Sequence, residues 1–74
     1  MGLSMKTGDL IRSRRRGTAY YEEHGFIRGF VEYQTVMLFL EHGIKALGMG
    51  KVMHPEYGQC WIELEALEVL DETR

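Results

Sequence analysis

The sequence predicts a mainly β protein, a small barrel of five strands with one short helical turn near the C-terminus. Nine glycines and one proline cut 74 residues into pieces too short for long helices. The run Trp61-Ile62-Glu63-Leu64-Glu65 alternates apolar and polar residues with the period of a half-buried strand. The stretch before Gly43 is rich in β-branched and aromatic residues, which favour a pleated surface.

Each element follows in order. Gly8-Asp9 opens a first strand over Leu10 to Ser13. The stretch from Arg14 to Gly25, RRRGTAYYEEHG, has no sustained apolar period and reads as an irregular loop bounded by Gly17 and Gly25. Phe26 to Tyr33 forms the second strand. Ile27, Val31 and Tyr33 lie on one face and Phe26, Arg28, Phe30 and Glu32 on the other, with a bulge or bend at Gly29. Gln34-Thr35 makes a tight connection to a third strand, Val36 to Leu40, which is apolar on both faces. A strand with two apolar faces in so small a domain needs something to cover the second one. A glycine-punctuated connection from Glu41 to Gly50 leads to a fourth strand at Lys51 to His54, and Pro55 to Gly58 turns the chain into a fifth, Gln59 to Leu64. A tight turn around Glu65 to Leu67, a closing segment Glu68 to Leu70 and a polar tail complete the chain.

The alternative is an α+β fold. Val36, Leu40, Ile44 and Leu47 fall at helical spacing, as do Trp61, Leu64, Leu67 and Leu70. Gly43 in the middle of the first candidate and the strict alternation in the second favour strands.

Composition bounds the function. With 45% hydrophobic and 27% charged residues the chain is that of a folded domain rather than a disordered one. At this length a single core is barely sufficient, so a homo-oligomer is expected. No apolar run is long enough for a membrane span and no signal peptide is visible, so a cytoplasmic protein with no membrane partner is expected. Gly2 invites a myristoylation reading that fails because Lys6 stands where a hydroxyl is required. Charge is uneven: residues 1–28 hold six basic and three acidic side chains, and the remainder three and eight. Such a dipolar surface steers acidic partners to one side or pairs the basic loop of one subunit with the acidic strand of another.

Motif by motif, the chemistry of catalysis is missing. Gly48-Met49-Gly50-Lys51 looks like a phosphate loop, but the required earlier glycine is Lys45 and the required hydroxyl is Val52. His24, His42 and His54 each sit beside a turn residue and form no close ligand pair, so no metal or other cofactor is expected. The lone Cys60 beside Trp61 reads as a small half-buried hydrophobe in a reducing compartment, since no histidine spacing makes it a nucleophile. Glu63, Glu65 and Glu68 read as a solvated strand face rather than paired catalytic acids. A non-enzymatic protein is expected.

The succession of a Gly-Asp-Leu-Ile opening, a glycine-bounded loop, a Gly-Phe-Ile-Arg-Gly strand, an apolar strand and a final Trp-Ile-Glu-Leu-Glu-Ala-Leu-Glu-Val-Leu resembles the SH3-like β-barrel, KOW-type modules included. More narrowly, GDLIR and the closing LEVLDETR resemble small uncharacterised proteins of marine phages. The resemblance covers most of the chain, and the Glu41 to Gly50 connection is longer than a usual barrel turn. It implies a fold rather than a site.

The strongest candidate surface is therefore compositional. Arg12, Arg14, Arg15, Arg16, Tyr20 and Tyr21, with Arg28 adjacent, combine guanidinium forks with aromatic faces, the chemistry that grips single-stranded nucleic acid or an acidic partner. Against a dedicated nucleic-acid binder stands the net charge of −2. The sequence thus favours a protein-interaction or self-assembly module that uses the exposed apolar face of Val36 to Leu40. A nucleic-acid-binding barrel is the alternative, and the null is a solvated loop whose arginines pair with Glu22, Glu23 or a neighbouring subunit.

Overall fold

The computed structural model describes residues 5–23 and 25–70; His24, the tail 71–74 and the first four residues with the Gly2 motif lie outside them. Among the described residues seven strands form: β1 Leu10–Ser13, β2 Gly17–Tyr20, β3 Ile27–Val31, β4 Val36–His42, β5 Met49–His54, β6 Gly58–Glu63 and β7 Leu67–Val69. A single 3-10 turn, Leu64–Ala66, separates the last two. All pair antiparallel in one sheet of order β3-β2-β6-β5-β4-β1-β7.

One face of every strand feeds the same core. Ile11, Ala19, Val31, Phe39, Val52, Ile62 and Leu67, one from each strand, are wholly inaccessible, joined by Met37, Cys60, Ala66 and Met5. A sheet has no second layer here to cover its apolar side, so it coils on itself, as the right-handed twist of strands allows. Two bulges sharpen the coil. The β2/β3 register shifts at Ala19/Tyr20, leaving Arg28 unpaired between Ile27 and Gly29, where the sequence predicts a bend. The β4/β5 register shifts between Phe39 and Glu41.

Ser13 holds the coil together near its seam. Its hydroxyl donates to the Glu32 carbonyl and accepts the Thr35 amide at 2.9 Å, while its own backbone bonds Thr35 and Gln34. Nearby, the Arg14 amide donates to the Ala66 carbonyl at 2.9 Å. Gly29 lies beneath the Tyr57 ring, where an added Cβ would fall 2.3 Å from the phenol oxygen. Glycine at that position lets Tyr57 pack against the core and donate its hydroxyl to the Phe30 carbonyl at 3.0 Å.

The structure corrects three expectations. There are seven strands rather than five, and the sheet is open, because β3 and β7 each pair along one edge only. The stretch read as an irregular loop contains β2, paired to both β3 and β6. Gly17 and Ala19 are poor strand formers with little apolar signal, and β2 exists because Ala19 fits opposite Ile62 in the core. The α+β alternative fails: among the described residues there is no α-helix, and none is long and apolar enough to cross a membrane. The remaining strands match the expected pieces to within a few residues, including the tight turn before the closing strand.

Candidate interaction surface

The predicted arginine cluster divides into two groups at opposite ends of β2. At the β1/β2 end each guanidinium is met by a group of the same chain. Arg12, projecting outward from β1, binds Glu68 of β7 through Nε at 2.9 Å and Nη2 at 2.7 Å. Arg14 Nε donates to the Glu65 carbonyl at 2.9 Å. Arg15 lies 3.5 Å from Glu63 and 3.8 Å from Glu65, and Arg16 lies 3.6 Å from Glu32 with its guanidinium 4.6 Å over the Phe30 ring. The glutamates expected on one strand face are spread over β6 (Glu63), the 3-10 turn (Glu65) and β7 (Glu68), and with Glu32 after β3 they serve as counter-ions to the basic turn. The pairing is intramolecular and uses Glu32, Glu63, Glu65 and Glu68 rather than Glu22 or Glu23. Solvent screens these contacts, so each contributes about 0–1 kcal/mol, yet together they damp the positive potential a phosphate would seek.

At the other end of β2, Arg28 sits between two tyrosines. Its Nη1 donates to the Tyr21 hydroxyl at 2.8 Å, and its carbon centre lies 5.0 Å from the Tyr21 ring and 5.4 Å from the Tyr57 ring. Tyr20 is half-buried in β2, paired with Trp61 on one side and Ile27 on the other, and belongs to the sheet surface rather than to the arginines.

His42, His54 and Cys60 are structural in their geometry. His54 is buried, and its Nδ1 accepts the amides of Glu56 at 3.0 Å and Tyr57 at 3.1 Å, which places the ring proton on Nε2. Its ring stacks on Tyr57 at 4.3 Å. Burial holds its pKa below the usual histidine value, outweighing the Glu56 carboxylate, which acts in the other direction. His42 Nε2 lies 2.8 Å from the Met5 carbonyl. Among the described residues no three potential ligands converge on a metal position. Burial pushes the Cys60 thiol up to about 11, against a smaller lowering by Arg28, so the thiolate needed for nucleophilic chemistry is scarce at neutral pH.

One contact joins two loops far apart in sequence. Glu23 accepts the Ile44 amide at 2.7 Å through Oε2 and the Lys45 amide at 3.1 Å through Oε1, binding the β2/β3 loop to the β4/β5 loop. Beside it is a hollow of about 470 Å³ bordered by Glu22, Glu41, Lys45 and Trp61. At its margin Lys51 pairs with Glu41 at 3.5 Å and lies 5.8 Å from the Trp61 ring.

The apolar face expected from Val36 to Leu40 is present and wider than the sequence implies. Met37 and Phe39 turn inward, while Val36 and Leu38 stay 48% and 37% exposed. Strand register adds two residues from elsewhere: Leu10 of β1 and Met53 of β5 lie directly beside Leu38 on either side, 53% and 40% exposed. Neither was legible as part of one surface, because only the β1/β4 and β4/β5 pairings align them. Two exposed aromatics elsewhere carry an arginine, Phe30 beneath Arg16 and Tyr21 beside Arg28, whereas Phe26 and Tyr33 are bare.

No family model matches the chain, and neither a curated protein nor a solved structure is significantly similar to it.

Proposed function

We propose that this chain is a non-enzymatic, SH3-like small domain that works as a protein-interaction or self-assembly module through the outer face of β1, β4 and β5. What carries the reading is the row Leu10–Leu38–Met53 with Val36 beside it, a contiguous apolar surface on a sheet whose other side already holds the core. Contiguous exposed apolar surface on a small domain marks an association site.

The SH3-like part of the reading rests on strand order. β6, β5, β4, β1 and β7 are hydrogen-bonded neighbours at every step of the sheet sequence β6-β5-β4-β1-β7, which makes five strands with the 3-10 turn before the last. β2 and β3 then form a hairpin inserted in the long connection after the first strand and added beside β6. The open edges are where that hairpin and β7 end. The likeness of GDLIR and LEVL to phage proteins belongs to the same reading and adds a viral origin and a host-cytoplasmic setting to it.

Photocrosslinking from single positions tests the interaction face. A photoreactive amino acid replacing Leu38 is expected to give adducts in cells expressing the protein, of doubled mass if the partner is a copy and of another mass if it is a different protein. The same residue replacing Phe30 is expected to give few. Adducts from position 30 and none from position 38 would overturn the proposal. The rival reading, a nucleic-acid grip on the arginines, is disfavoured by their engagement with four glutamates of the same chain. Steeply salt-dependent binding of labelled single strands, lost on changing Arg14, Arg15 and Arg16 to Ala, would restore it.

A further inference from the structure

We infer that the occupant of the β1/β4/β5 face is a second copy of this chain, docked face to face about a two-fold axis that passes near Leu38. The inference rests on the interaction-face reading above and adds the identity of the partner and the geometry of its approach.

Area is the first argument. The four side chains Leu10, Val36, Leu38 and Met53 leave roughly 300 Å² of apolar surface in the open, within the range of functional patches on small proteins. Set against itself, such a patch supplies the apolar centre of an interface of about 1,200 Å² once a polar rim is added, the lower end of the stable class. A weak, reversible dimer is the scale this supports, not an obligate one.

Self-complementarity is the second. In a two-fold interface the same patch serves both sides, so a central residue faces its own equivalent and flanking residues exchange. Leu38 occupies the centre of the row, with Leu10 on one side and Met53 on the other, all of them aliphatic or thioether side chains able to interdigitate. The charges at the margins are compatible with this. On the β1/β7 flank Arg12 is paired with Glu68, and on the β4/β5 flank Lys51 is paired with Glu41. Each flank carries both signs, so a turned copy meets no block of its own charge, and the net charge of −2 adds little long-range repulsion.

Third, the chain gains from it. The buried core is a single small cluster, drawn from one sheet that has to cover its own apolar side. Domains of this size often supplement such a core by association. Covering the outer face of β4 also removes from water the strand that is apolar on both sides.

Sedimentation velocity of the full chain from about 1 μM to about 1 mM tests it, a range that brackets the dissociation constants such an interface yields. The mass is expected to rise from 8.6 kDa toward twice that value with concentration. Leu38→Glu and, separately, Met53→Lys are expected to remain single chains throughout, with near-ultraviolet circular dichroism unchanged. Phe30→Glu, on β3 and outside the face, is expected to associate as the parent does. A parent chain that stays at the single-chain mass at the highest concentration would overturn the second-copy inference. Adducts of other mass from position 38 would then leave the interaction face standing. Association that survives both face variants and is lost in Phe30→Glu would overturn the inference and the face reading together.

Discussion

His54 shows how one side chain sets a turn and gives it a pH dependence. As a neutral ring it accepts two backbone amides of its own hairpin and stacks on Tyr57, which in turn covers Gly29 and caps the Phe30 carbonyl. Protonation removes the acceptor and charges a buried group. Because its folded pKa is lowered by burial, this contribution is complete above the ordinary value of 6.5. It is lost as pH falls below that value, where the unfolded chain takes up a proton that the folded chain resists. Denaturant midpoints are therefore expected to fall between pH 7.5 and 5.5, above the range in which carboxylates titrate. In His54→Asn, whose side-chain oxygen accepts from the same amides without titrating, the slope over that window is expected to flatten. An unchanged slope would refute the role assigned to His54.

At the scale of elements, the structure depends on contacts that tie loops to strands they do not follow. Glu23 is the clearest case. Its carboxylate takes up the Ile44 and Lys45 amides of the β4/β5 loop, so that two exposed loops more than twenty residues apart in the chain support each other. Glu23→Gln keeps the shape but gives up the charge assistance, which contributes about 1.5 kcal/mol to such a bond. Amide exchange at Ile44 and Lys45 is expected to quicken roughly tenfold, with global stability little changed, because loops open locally without unfolding the core. Equal exchange in the variant would show that the loop holds its shape alone. The Arg12–Glu68 pair, by contrast, joins strands already hydrogen-bonded to each other and adds little beyond them.

For the whole molecule, the decisive feature is that all seven strands place residues in one cluster. No strand has a core of its own. Unfolding is accordingly expected as a single cooperative step, with Trp61 fluorescence and far-ultraviolet circular dichroism giving coincident transitions when the protein is dilute. A separate early transition reported by one probe would mean that the β2/β3 hairpin melts apart from the rest. The dipolar charge pattern finds its place at this scale too. The basic turn and its glutamate counter-ions lie side by side in one chain, so the asymmetry is largely neutralised within the molecule rather than offered to a partner.

Local pattern sufficed for much of this fold. The alternation that begins at Trp61-Ile62-Glu63, the two-faced Val36 to Leu40 and the glycine and proline boundaries are period and turn signals carried by neighbouring residues, and the corresponding strands stand near where those signals put them, although Leu64-Glu65, which continue the alternation, turn into the 3-10 helix. Strand β2 was not legible, because Gly17-Thr18-Ala19-Tyr20 has no pattern strong enough to mark a strand and gains its place from Ile62 and Gly29 across the sheet. Of the candidate site, the arginines and the apolar strand were visible as composition, but their meaning was not. The glutamates that engage Arg12, Arg15 and Arg16 lie sixteen to fifty-six residues away along the chain, and Leu10, Leu38 and Met53 become one surface only through register. Periodicity records which face of a strand is apolar. Which strands lie side by side, and hence which charges cancel and which apolar residues merge, follows from long-range pairing selected by the packing of a shared core.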